Sequence, residues 1–209
     1  KAKSVFVCSD CGYESPKWLG KCPSCGAWNT FYEETIQPSV TANGKTKEAA
    51  KPMNLNNIEG KESIRIDTGY DELNRTLGGG LVKGSLVLLG GEPGIGKSTL
   101  VLQLCDKIAN DGKVLYISGE ESEKQIKLRA DRIGEFSDNL LIMCETDLDE
   151  IDEAIRRTSP AVVVIDSIQT MSSEDVHSAP GSVSQVREST NILLQIAKGL
   201  NITIFIIGH

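Results

Sequence analysis

No apolar run in these 209 residues is long enough to cross a bilayer. The opening stretch, Lys1 to Cys8, is basic but lacks the apolar centre of a signal peptide. Both absences lead to the expectation of a cytoplasmic chain with no membrane partner. A basic surplus is missing too: net charge is −7, which argues against a general nucleic-acid binder. The balance is uneven, however. Residues 1–30 hold Lys1, Lys3, Lys17 and Lys21 against Asp10 and Glu14, so +2, and the remainder carries −9. A local basic groove therefore stays open. No repeat of 20 to 50 residues is visible. With 39% hydrophobic and 24% charged residues, what remains reads as one full globular domain plus a small module.

The most informative stretch is Leu86 to Leu100. An apolar strand-like run enters Gly91-Glu92-Pro93-Gly94-Ile95-Gly96-Lys97-Ser98-Thr99 and leaves as a helix-like run. This is the nucleotide phosphate loop in its required setting of strand, glycine-rich turn and helix. The glycines let the loop curl so that its N–H groups face an anion, and the helix start adds its positive end. Lys97 is placed to reach the outer phosphates of ATP, and the Ser98 hydroxyl to hold Mg²⁺. The bland alternative is a plain glycine turn.

The six cysteines fall into two groups. Cys8-x-x-Cys11 and, ten residues on, Cys22-x-x-Cys25 have the spacing of two knuckles closing on one tetrahedral metal. Zinc is the expected ion and iron the runner-up; disulfides do not suit a cytoplasmic chain. A closed four-thiolate site leaves no open position for catalysis. Tyr13, Trp18, Trp28 and Phe31 are expected to pack around the centre. The alternative is that Tyr13 or Trp18 stacks on a base while Lys17 and Lys21 meet phosphates. Cys105 and Cys144 stand alone in apolar surroundings and read as core residues.

Organisation follows from composition. Residues 1–32 form the metal module. Residues 33–62, with Pro38, Asn43-Gly44 and Pro52, read as a flexible linker. From 63 to 209 strand-like and helix-like segments alternate. Strands are expected near 64–66, 86–90, 113–118, 140–144, 161–166 and 202–207. Helices are expected at 71–77, 97–110, 122–134, 149–158 and 183–199. Such alternation predicts a mainly parallel α/β sheet with helices on both faces. Val162 to Ile165 is an unbroken β-branched run that suits a strand buried on both sides. It ends in Asp166, a second candidate for Mg²⁺. Glu120 and Glu121 follow the 113–118 strand at the same sheet edge. We assign Glu120 to water activation and Glu121 to capping the next helix, an order that could be reversed. Ser172 to Gly181 reads as a functional loop over the strand ends. His177 reads as solvated, and His209 as a γ-phosphate sensor or a loop residue.

The Cys module, Leu77-Gly78-Gly79-Gly80, the phosphate loop, Tyr116-Ile117-Ser118-Gly119-Glu120-Glu121-Ser122, Ile165-Asp166-Ser167-Ile168-Gln169-Thr170 and Gly181-Ser182-Val183-Ser184-Gln185-Val186-Arg187-Glu188 occur in this order. Over essentially the whole chain this resembles the bacterial RecA-family DNA repair ATPases that carry a zinc ribbon. The resemblance implies a RecA-like P-loop core in a homo-oligomeric, commonly hexameric, ring. It implies binding of single-stranded or branched DNA, ATP hydrolysis, and processing of recombination intermediates by branch migration, with a recombinase or helicase partner. It matches Glu120 to the catalytic glutamate and Ser172–Gly181 to the first DNA-facing loop. It puts Gln185 and Arg187 inside the next helix as DNA contacts, and His209 where the γ-phosphate is coupled to DNA. Members of the family continue with a second DNA loop, a Lys-Asn-Arg-Phe-Gly motif and a Lon-like domain. The sequence stops at His209, before all three, so the expectation is nucleotide binding with weak turnover, and ring assembly stays open. A competing reading is a nucleotide-dependent switch whose ribbon recruits a protein. A clock-type RecA-like ATPase shares the loop region but not the cysteines.

Overall fold

A computed structural model describes residues 3–36, 54, 65–173 and 179–208. Most of the expected linker lies outside the described residues, as do 174–178 with His177, and His209. Two compact units divide the chain, 1–63 and 64–209.

In the first unit, β1 (Lys3–Cys8), β2 (Glu14–Ser15) and β3 (Phe31–Ile36) form an antiparallel sheet in the order β2-β1-β3. The register pairs Cys8 with Phe31 and Lys3 with Ile36. Strand pairing thus carries the module to residue 36, beyond the boundary expected at 32.

In the second unit, β4 (Arg65–Ile66) and α1 (Asp71–Thr76) precede β5 (Leu81–Val82), which pairs antiparallel with β4. Then follow β6 (Leu86–Gly90), α2 (Lys97–Ala109), β7 (Val114–Ser118), α3 (Glu123–Ala130), β8 (Leu140–Cys144), α4 (Leu148–Thr158), β9 (Val162–Asp166), α5 (Val183–Leu200) and β10 (Thr203–Gly208). The five long strands make one parallel sheet in the order β6-β10-β9-β7-β8. This is the expected α/β architecture, consistent with a RecA-like P-loop core.

Alternation along the strands sorts the core into two layers. Leu115, Ile117, Val163, Ile165, Ile204 and Ile206 pack with α4 and α5 residues such as Ile151 and Leu193. Val114, Tyr116, Val162, Val164, Phe205 and Ile207 pack with Leu102, Ile108 and Ile126 from α2 and α3. Every residue of β7, β9 and β10 is buried, which is why these segments read as continuous apolar runs. The outer strands are half covered, and Leu88 of β6 is exposed.

Two local expectations change. Helix α3 stops at Ala130, four residues short of 134, because residues 131–133 turn and Gly134 takes φ +150. Cys105 is buried as expected, but Cys144 is exposed, since it is the last residue of the edge strand β8. Among the described residues no helix is long and apolar enough to cross a membrane.

Candidate functional site

Strand β6 ends at Gly90, the loop 91–96 is exposed throughout, and α2 begins at Lys97. The loop turns because Gly94 and Gly96 take φ of +79 and +95, the left-handed region that side chains avoid. Gly96 is also the N-cap of α2. The Lys97 ammonium folds back over the loop and donates to the carbonyls of Gly91 at 2.6 Å and Glu92 at 2.8 Å. A glycine-rich turn that runs into a helix N-terminus, with a lysine ammonium beside it, is a donor set suited to an anion. These residues therefore fit a phosphate group. Ser98 and Thr99 follow in the first turn of α2, half-buried.

The sheet brings the acidic candidates to the same edge. Val162, Val164 and Asp166 alternate onto the α2 side, so the Asp166 carboxyl faces the layer that contains the phosphate-loop helix. Ile206 is level with Ile165, and Ile207 with Leu89. Asp166 thus ends its strand level with Leu89, with β10 between them, at a separation of two strand spacings of ~4.8 Å each. Ser118 of β7 is directly opposite Asp166, and Glu120 follows two residues later. The Ser167 hydroxyl donates to Glu120 Oε1, which brings Glu120 against the residue after Asp166. The peptide bond between Asp166 and Ser167 is cis. Gly119 makes the close approach possible. Its N–H donates to Asp166 O at 2.9 Å, and a Cβ there would lie 2.0 Å from Thr170 Oγ1 and 2.8 Å from Thr170 Cβ.

A network behind Asp166 escaped the sequence reading. The buried Tyr116 hydroxyl donates to Asp166 Oδ2 and accepts from Arg129 Nη2 at 3.3 Å. Arg129 in turn pairs with Glu121 at 2.6 Å. Burial first, and the Asp166 charge second, push the Tyr116 phenol far above its ordinary range, so it stays a donor. Glu121 consequently does not cap α3. Its side chain belongs to Arg129, and the helix is capped by Ser122, whose N–H donates to Gln125 Oε1 at 2.9 Å. A visible signal existed: a tyrosine inside an apolar strand that ends beside the Asp166 strand.

Gln185 also departs from expectation. It is 1% exposed. Its two amide N–H groups are shared among three acceptors, Ile168 O, Met171 O and Ser189 Oγ, 2.7–3.0 Å from Nε2, and its oxygen accepts from Gly181 N at 3.1 Å. A side chain so committed ties the start of α5 to the turn after Asp166 and has nothing left for DNA. Arg187 lies two residues on and is exposed.

In the small unit the four cysteine Sγ atoms lie within 4.8 Å of one another. Cys8 and Cys25 are 3.7 Å apart, and Cys11 and Cys22 3.5 Å. Tetrahedral Zn–S bonds of about 2.3 Å put sulfurs about 3.8 Å apart, so the residues fit the ion. Each knuckle is closed by backbone bonds, Gly12 N–H to Cys8 O and Gly26 N–H to Cys22 O, at 2.8 and 2.9 Å. Burial opposes ionisation of Cys8, but hydrogen bonds from Thr30 Oγ1 and the Asp10 and Cys11 N–H groups outweigh it and bring the thiol to about 6. At Cys25 the Ala27 N–H favours the thiolate, yet burial and the other three thiols push it up to about 12. Crowded thiolates repel one another, and a divalent cation removes that repulsion. The aromatic residues do not all pack as expected. Phe31 is buried, but Trp28 is 69%, Trp18 52% and Tyr13 41% exposed, because among the described residues the module's interior holds only Val7, Cys8, Ser15, Cys22 and Phe31.

Comparison with known proteins agrees with this geometry. Residues 57–209 match the family described as an AAA domain, and residues 6–33 match a rubredoxin metal binding domain. With the four-cysteine cluster, the second match makes the small unit a zinc ribbon. The whole chain is 54% identical to the DNA repair protein RadA of Bacillus subtilis (strain 168), of which it covers 47%. It is 51% identical to the same-named protein of Halalkalibacterium halodurans and 52% to that of Listeria monocytogenes, covering 100% of this chain and 47% and 46% of those proteins. The chain spans about half the length of the curated relatives it matches.

Proposed function

The chain belongs to the AAA-domain family, and we propose that it is the ATP-driven part of a cytoplasmic DNA repair protein. In this reading it binds ATP and Mg²⁺, hydrolyses the nucleotide, and couples the cycle to single-stranded or branched DNA during branch migration, in a ring of several copies. The name shared by its relatives, DNA repair protein RadA, supports the repair role. The observation that carries the reading is the convergence of the exposed loop, Asp166 and Glu120 at one sheet edge.

Gly91 to Thr99 would hold the phosphates with backbone N–H groups, and Lys97 would swing from the Gly91 and Glu92 carbonyls to the outer phosphates. Ser98 and Asp166 would hold Mg²⁺, which when bound neutralises charge developing on the phosphate oxygens. Glu120, exposed and steadied by Ser167, would orient the attacking water. Arg187 stays a candidate for DNA, Gln185 becomes a tether for the loop above it, and His209 keeps the coupling role that the family implies.

Steady-state ATP hydrolysis with and without single-stranded DNA tests this. Glu120→Gln is expected to keep nucleotide binding and lose hydrolysis about 10²-fold. Hydrolysis at the parent rate would remove Glu120 from the mechanism. A second result concerns the residue behind Asp166. Tyr116→Phe deletes the hydroxyl that fixes one carboxylate oxygen, so the Mg²⁺ concentration giving half-maximal hydrolysis should rise about tenfold, with ATP affinity in the absence of Mg²⁺ unchanged. An unmoved Mg²⁺ dependence would make the tyrosine a packing residue only.

A further inference from the structure

The proposed function gives no work to the exposed rings of the zinc ribbon, and their arrangement points to a ligand. Tyr13 and Trp18 both meet Phe31: the Tyr13 ring stands edge-on to it at 6.5 Å, and the Trp18 indole N–H donates to its carbonyl at 3.3 Å. The far side of the Trp18 ring lies against Gly20, where a Cβ would sit 3.7 Å from it. Gly20 O accepts from Asn29 N–H at 2.9 Å, and the next pair along, Lys21 and Trp28, is joined by an antiparallel bridge. Trp18 and Trp28 therefore border one short ladder over the second knuckle. The Lys21 ammonium stands 5.4 Å above the Trp28 ring, and Lys17, exposed, precedes Trp18.

We propose that this surface binds single-stranded nucleic acid, with bases stacked on Trp18 and Trp28 and phosphates met by Lys17 and Lys21. The pairing of flat rings with ammonium groups is the chemistry that recognises an unpaired strand without regard to sequence. The two ammonium groups beside the rings, Lys21 over Trp28 and Lys17 next to Trp18, favour it over a protein partner. An apolar protein surface would leave both ammonium groups facing a dry interface. The inference rests on the DNA-repair reading for the kind of polymer, but it needs neither ATP nor the loop at Lys97.

Trp18 and Trp28 are the two tryptophans of the chain, so intrinsic fluorescence reads the site directly. Zinc-loaded full chain titrated with a short dT oligonucleotide, without nucleotide, is expected to show saturable quenching. Trp28→Ala and Trp18→Ala should each weaken binding about tenfold or more, and Trp28→Phe should restore most of it. Lys17→Ala with Lys21→Ala should flatten the slope of log affinity against log salt by about 1.4. Zinc content, measured on every variant, separates a lost contact from a lost fold. Oligonucleotide binding without quenching and indifferent to both tryptophans would overturn the proposal, as would no binding at all. Quenching that persists in a protein with no ATP-dependent DNA binding would instead count against the motor reading and leave this site standing.

Discussion

Lys97→Ala is expected to lower ATP hydrolysis by about 10²-fold or more and to weaken nucleotide binding, while the chain stays folded. The first half follows from what the ammonium must do. Charge that develops on the phosphate oxygens is stabilised by donors already in place, and removing one such donor costs about 10²–10³ in rate. The loop N–H groups and the start of α2 remain in the variant, so residual binding is expected rather than none. The second half follows from where Lys97 sits. Its ammonium braces the loop through Gly91 O and Glu92 O, both exposed. Water can replace those two bonds, so the melting temperature without nucleotide should hardly move. ATP should raise the melting temperature of the parent and not that of the variant. Equal hydrolysis by the two proteins would dismantle the assignment of the loop. Equal hydrolysis with a lowered melting temperature would recast Lys97 as a structural brace.

How much of this site could be read from residues alone depended on whether the deciding interaction was local. The turn of the loop was legible because it lies in backbone dihedrals, and Gly94 and Gly96 encode those directly. Strand β9 (Val162–Asp166) was legible because burial on both faces leaves an unbroken apolar run, whereas the outer strands Leu86–Gly90 and Leu140–Cys144 were legible from apolar composition alone, being only half covered. Gln185 was misread because its fate is tertiary. A glutamine near a helix start serves equally on a surface or inside, and its choice depends on the carbonyls of Ile168 and Met171, 17 and 14 residues away. Glu121 was misread for the same reason, since Arg129 competes for its carboxylate with the helix start. The ribbon aromatics failed on size. A rule that rings pack inward presumes an interior, and a module with five buried residues among those described has room for one ring.

That small interior leads to the other large effect. Cys22→Ser, or removal of zinc with a chelator, is expected to unfold the ribbon and leave the nucleotide-binding unit folded. A described interior of Val7 and Phe31 with the thiols Cys8 and Cys22 is too small to hold the module folded by itself, and a structural zinc site contributes its binding free energy directly to folding. Loss of one ligand of four leaves Cys8, Cys11 and Cys25 around a site that water can enter. The second unit carries its own two-layer core on either side of the β7-β9-β10 strands. Tryptophan emission, which comes from the ribbon through Trp18 and Trp28, should therefore report unfolding on chelation, while a fluorescent ATP analogue still binds. Released zinc should appear as one ion per chain. A ribbon that keeps its emission and its strand signal after complete zinc removal would show that the sheet of β1, β2 and β3 stands without the metal, and the four thiols would then need another purpose.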